Sequence, residues 1–156
     1  MKNSLRENIL NVNFLEASKQ VENMDFSKFE DEIIVWAFDD NQDIIFYTFI
    51  CHLIAKNESE PLHSLACDLL CHPLCHIEGA YKAALYHTQE ALRLEPSNIG
   101  HKEMLLFLYT CPDLPDELLT REEILETAAS ILEADPENQA ARSFIKDYKP
   151  RKRRRR

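Results

Sequence analysis

Glu90-Ala-Leu-Arg-Leu-Glu-Pro-Ser-Asn98 returns forty residues later as Ser130-Ile-Leu-Glu-Ala-Asp-Pro-Glu-Asn138. Each copy ends an apolar run on an acid, turns at a proline and offers an asparagine able to cap a new helix. A repeat of this period is what stacked helix pairs leave in a sequence. Upstream of the first copy, Tyr81, Ala84, Leu85, Thr88, Ala91 and Leu92 recur at the spacing of one helix face. Upstream of the second, Ile124, Leu125, Ala128, Ile131 and Leu132 do the same. Asp135-Pro-Glu-Asn138 reads as a stop followed by a new start, with Pro136 at the first helical position.

The same reading extends outward to eight helices, at about 4–22, 28–38, 41–56, 60–72, 77–94, 99–110, 121–134 and 137–148. Capping boxes at Ser4–Glu7, Ser27–Glu30 and Thr120–Glu123 pair a hydroxyl with a glutamate three residues on. Glu32–Phe38 and Asp43–Ile50 flank a polar turn, so a β-hairpin competes there. The second run continues to Ala55, long for a strand, and the first follows a capping box; helix is the expectation. The predicted class is all-α, a single domain of stacked antiparallel helix pairs over 1–148, followed by a disordered basic tail, 149–156. With two glycines in 156 residues, no glycine-rich phosphate loop, dinucleotide fingerprint or nucleophile elbow can be assembled.

Residues 75–148 resemble tetratricopeptide repeats. Ala84, Ala91 and Pro96 match the small, small and proline positions of a repeat's second helix. Leu105 and Tyr109 match the apolar positions of the next first helix, and Pro136 closes it. The usual glycine positions fall instead on His72 and Leu106, and Cys111–Leu118 adds about six residues. With Glu78-Gly-Ala-Tyr-Lys-Ala-Ala-Leu-Tyr-His87 opening its long helix, the acidic chain also resembles immunity proteins, the antidotes of bacterial polymorphic toxins. That resemblance implies a non-enzymatic, cytoplasmic protein that neutralises a basic toxin domain by binding it. A general tetratricopeptide-like adaptor and a His/Cys metal-binding protein are the alternatives.

Charge gives the resemblance a physical rationale. Residues 1–147 carry 11 basic against 27 acidic side chains, a balance of −16, while seven basic residues crowd the tail Lys149-Pro-Arg-Lys-Arg-Arg-Arg-Arg156. Such a body repels nucleic acid and anionic membranes and attracts basic partners. The partner expected is a basic protein, with no small-molecule substrate, no nucleic acid on the folded body and no membrane. The predicted partner-binding residues are Glu30, Asp31, Glu32, Asp39, Asp40 and Asp43, six carboxylates in 14 residues with only Lys28 near to neutralise them. Asp113, Asp116, Glu117, Glu122 and Glu123 form a second acidic cluster.

Histidine and cysteine gather between Cys51 and His76: Cys51, His52, His63, Cys67, Cys71, His72, Cys75 and His76. No paired C-x2-C set occurs, so the cysteines read as small buried hydrophobes at a helix seam, reduced in a cytosol, and no metal or other cofactor is expected. The adjacent Cys-His pairs point to different helix faces and make no thiol-protease dyad. No catalytic residues are assigned.

Overall fold

Asn11, Val12 and Asn13 interrupt what the apolar pattern alone reads as one long first helix. The computed structural model, which describes residues 3–40, 43–115 and 117–148, divides it into α1 (Leu5–Leu10) and α2 (Phe14–Val21). The joint is Val12, held at φ 60°, with Asn13 at the N-cap position of α2 but making no side-chain capping bond. The helices that follow are α3 (Phe26–Asp39), α4 (Ile45–Lys56), α5 (Glu60–Cys71), α6 (Ala80–Leu94), α7 (Ile99–Tyr109), α8 (Arg121–Ala134) and α9 (Gln139–Asp147). Among the described residues there is no strand: the protein is all-α. The tail 149–156 lies outside the described residues.

Local chemistry explains the boundaries. The Ser4–Glu7 and Thr120–Glu123 capping boxes are formed. The one expected at Ser27–Glu30 is not. Asp25 caps α3 by accepting from the Lys28 amide at 3.1 Å, so Ser27 lies inside the first turn. A carboxylate in the right place two residues earlier displaces the hydroxyl. Gly79, at φ 84°, sets the start of α6 at Ala80, three residues later than expected. Pro136 also moves: it sits in the turn, and Asn138 caps α9 by accepting from the Ala141 amide.

The forty-residue repeat is a repeat of this local device. Glu95 and Asp135 end their helices at φ/ψ −129°/78° and −138°/89°; Asn98 and Asn138 start the next ones at −68°/112° and −58°/115°. In both, the asparagine side chain accepts from the backbone amide three residues on.

The chain divides into two compact units, Met1–Pro96 and Ser97–Arg156. In the first, α5 packs along α6 and against α3 and α4, and α4 packs on α1 and α2. Its core is Ile9, Phe29, Ile33, Phe46, Phe49, Ile50, Leu65 and Leu69, all fully buried. Each such side chain contributes roughly 1.5–3 kcal/mol over leaving it exposed. Phe49 centres the aromatic part, 5.2 Å from Phe14 and 6.3 Å, edge-on, from Phe29. This burial settles the hairpin question. Phe46, Phe49, Ile50 and Leu53 recur at 3, 1 and 3 on one side of a helix, where a strand would divide them between two faces. In the second unit α7, α8 and α9 pack on one another around Leu108, Ile124 and Ile131, with Phe144 stacked on Tyr148 at 4.7 Å.

Candidate functional site

Helix α3 is amphipathic in an unusual sense. At about 100° per residue, Phe29, Ile33 and Ala37 share the inward face, and all three are fully buried. On the opposite face Asp31, Val35, Phe38 and Asp39 fall within about 100° of arc. All four are exposed, Val35 at 54% and Phe38 at 50%. Ile44, at the N-cap of α4, is exposed at 46% and follows the exposed Asp43. The result is a short apolar stripe with carboxylates along its edges.

The six carboxylates expected to act together divide. Asp40 turns back to α1, where Arg6 donates from Nε at 2.8 Å and from Nη2 at 2.6 Å in a two-pronged pair. The sequence expectation that only Lys28 lies near the cluster is therefore corrected: the chain brings Arg6 back across 34 residues. Lys28 reaches Glu32 at 3.8 Å, one turn along the helix. Glu30 faces α5; burial first, then Asp68, Asp31 and Glu60, push its carboxyl above the ordinary range. Asp43 Oδ1 accepts from the Ile45 amide at 2.9 Å and helps start α4. Of the six, only Asp31 and Asp39 lie on the apolar stripe. In the second cluster, Asp116 lies outside the described residues, and Glu123 is engaged in the Thr120 capping box.

A second arrangement was missed in the reading of the sequence. His63 of α5 and His87 of α6 meet inside the first unit, Nδ1 to Nδ1 at 2.9 Å, both buried. His87 Nε2 lies 3.0 Å from the Tyr47 hydroxyl of α4, and Tyr47 also interacts with the Cys51 thiol one turn on. His63 Nε2 lies 3.2 Å from Glu58 Oε1. Arg93 then binds two carboxylates, Glu58 through Nη2 at 2.5 Å and Glu90 through Nε at 2.7 Å.

With both rings uncharged, one placement of hydrogens satisfies the chain. His63 donates Nε2–H to the Glu58 carboxylate and accepts at Nδ1. His87 donates from Nδ1, and its Nε2 accepts from Tyr47. Burial, reinforced by His63, holds His87 well below the ordinary histidine range, at about 4. Burial likewise raises the Tyr47 phenol. Arg93, then His63, lowers the Glu58 carboxyl.

The cysteines do not converge. Cys67 and Cys71 are buried, their sulfurs 3.9 Å apart, and Cys67 also meets Thr88 of α6 at 3.3 Å. Cys75 is exposed, and Cys111 belongs to the second unit. Among the described residues, the metal-ligating groups that come together are Glu58, His63 and Glu90, their ligand atoms all within 4.8 Å of one another. At another edge of the first unit, Val21, Phe26, Leu53 and Leu62 line an open cavity of about 340 Å³, with Glu22 and Lys56 3.9 Å apart on its rim. No described helix is long and apolar enough to cross a membrane.

Comparison with protein families, with curated proteins and with solved structures finds no match to this chain. The functional reading therefore rests on the chemistry of these surfaces.

Proposed function

We propose that this chain is a non-enzymatic protein-binding module that docks a basic partner on the outward face of α3. The observation that carries the reading is the stripe of Asp31, Val35, Phe38 and Asp39. An exposed aromatic ring flanked by carboxylates has the anatomy of a small interface, an apolar anchor inside a polar rim. A single exposed apolar residue means little on a protein surface. Two on one helix face are a better anchor. The excess of acidic charge over 1–147 supplies long-range attraction for a basic surface and sets the sign of the partner. The most specific form of the reading is an immunity protein. A nuclease toxin must be basic to hold nucleic acid, and an acidic protein covering that surface would silence it.

The test compares captures from the native cell by the wild-type chain and by a Phe38→Ala, Asp39→Lys variant. The reading expects a basic protein held one-to-one by the wild type, lost by the variant, and associating more slowly as salt rises from about 0.1 M to 1 M, where the Debye length falls from about 10 Å to 3 Å. A partner captured equally by both chains, with no dependence on salt, would remove α3 and charge from the account.

A further inference from the structure

The buried histidine pair stands apart from the α3 stripe, on α5 and α6 with the loop before α5, and its outer end has an unbalanced charge. Glu58 and Glu90 carry two negative charges, Arg93 one positive, and the imidazoles none in their uncharged form. We propose that Glu58, His63 and Glu90 form a binding site for one divalent transition-metal ion of the zinc class, and that Arg93 occupies its place when the metal is absent.

Four features of the site support this. The donor set, one borderline imidazole nitrogen and two harder carboxylate oxygens, is one that zinc accepts, with water as fourth ligand. The spacing is right at its inner edge: His63 Nε2 and Glu58 Oε1 are 3.2 Å apart. Two ligands on bonds of about 2.0–2.1 Å at tetrahedral angles are separated by about 3.3 Å. Glu90 offers a ligand atom within 4.8 Å of both, and it closes the third bond by leaving Arg93 and approaching to about 3.3 Å. The arrangement is also half-open. His63 is fully buried, whereas the side chains of Glu58 and Arg93 are exposed at 40% and 50%, so Arg93 can swing into water as the ion enters. Finally, the ring has a second shell. A histidine that ligates a metal donates its other N–H to a fixed partner, and His63 Nδ1 faces the His87 Nδ1 at 2.9 Å.

That last contact gives the site a signature. When Nε2 of His63 binds the ion it carries no hydrogen, so His63 must hold its hydrogen on Nδ1 and donate it to His87. His87 in turn must carry its own hydrogen on Nε2 and donate it to Tyr47. Metal entry therefore reverses the hydrogen-bond direction along the whole chain and swaps the tautomer of both rings: the His63 Nε2 proton leaves to water, the His87 Nδ1 proton passes to His63 Nδ1, the Tyr47 proton passes to His87 Nε2, and the phenol regains one from water, so both rings and the phenol stay neutral. Magnesium, which keeps its waters and prefers oxygen ligands, lacks the affinity to do this.

The test uses the full chain carrying Cys75→Ser, which removes the exposed thiol, stripped with a chelator and titrated with zinc chloride by calorimetry. Imidazole nitrogens are followed by long-range proton–nitrogen NMR. The proposal expects one ion per chain and a swap of tautomer at His63 and His87. Glu58→Gln and Glu90→Gln should each weaken binding by roughly tenfold or more. Arg93→Gln should tighten it by about tenfold, because a competing positive charge is gone. These three side chains are partly or largely exposed, so the variants keep their fold, and circular dichroism checks that. Zinc bound equally by the two glutamine variants and the parent, or zinc that leaves the His63 and His87 signals unmoved, would overturn the assignment. So would an Arg93→Gln chain that binds no better. None of these results depends on whether α3 binds a protein.

Discussion

Positions 33 and 38 of α3 lie on opposite faces of one helix, and truncating each should separate stability from recognition. Ile33 is fully buried, so Ile33→Ala removes buried methylenes and leaves a cavity, at a cost of about 2–5 kcal/mol. In a chain of this size each kcal/mol lowers the melting temperature by about 2–4 °C. Phe38 leaves half its surface in water. A phenylalanine buries about 150–250 Å² when fully covered, so roughly 100 Å² remains for a partner to cover. At about 25 cal/mol per Å² that is roughly 2.5 kcal/mol as an upper bound. Alanine keeps part of it, and a partner seldom covers the whole exposed surface of a ring. Phe38→Ala should therefore weaken binding by roughly 1–2 kcal/mol, or about 5- to 30-fold in Kd, while stability stays within about 0.5 kcal/mol. Urea unfolding gives the stability, and calorimetry against the captured partner gives Kd. Phe38→Ala that binds within twofold of wild type would refute the α3 reading, as would Phe38→Ala that loses stability in step with affinity. A fall in affinity for Ile33→Ala larger than for Phe38→Ala, measured where both chains are folded, would show that the inner face matters more.

Glu30→Gln should stabilise the protein near pH 7. The folded carboxyl titrates above its unfolded value because of burial and the facing Asp68, Asp31 and Glu60, so between those two values the native state holds the extra proton and wild-type stability falls as pH rises. Urea midpoints should favour the variant at neutral pH and converge below the ordinary carboxylate range; a variant that is less stable at pH 7 would show that Glu30 makes a favourable contact in its charged form. At the α1–α2 joint, Val12→Asn should raise stability by about 1 kcal/mol, since a β-branched residue at φ 60° is strained, asparagine tolerates that conformation, and Val12 is 62% exposed and gives up little packing. A thermal melt checks it, and a fall in melting temperature would mean that Val12 packs better than its exposure implies.

Helix existence was legible because burial and periodicity agree. The inner faces of α6 and α8 can be read directly from Ala84, Leu85, Thr88 and Ala91, and from Ile124, Ala128 and Ile131, all of which are buried. Boundaries were less legible where several capping residues compete within a few positions. Asp25 and Ser27 both qualify, and which one caps α3 depends on where the first turn begins to bury Phe29. Likewise, nothing in the apolar pattern of 4–22 marks a break, because Val12 continues it; only the two flanking asparagines hint at a turn.

The two surfaces that carry the functional argument were hidden for a different reason: a count along the chain is not a count in space. Six carboxylates in fourteen residues look like one patch, yet a helix rotates successive residues by about 100°. Glu30 therefore faces α5, Asp40 reaches Arg6, and only Asp31 and Asp39 remain beside Val35 and Phe38. The His/Cys run between 51 and 76 misleads in the same way, since its members are spread over α4, α5 and an irregular turn. The histidine that matters to His63 is His87, 24 residues on. Its signal was present: His87 falls between Ala84, Thr88 and Ala91 on the buried face of α6, a polar ring where the pattern calls for an apolar one. A buried polar group needs a partner. That requirement points to His63 on the neighbouring helix, and from there through Glu58 and Glu90 to Arg93, whose single positive charge faces two negative ones.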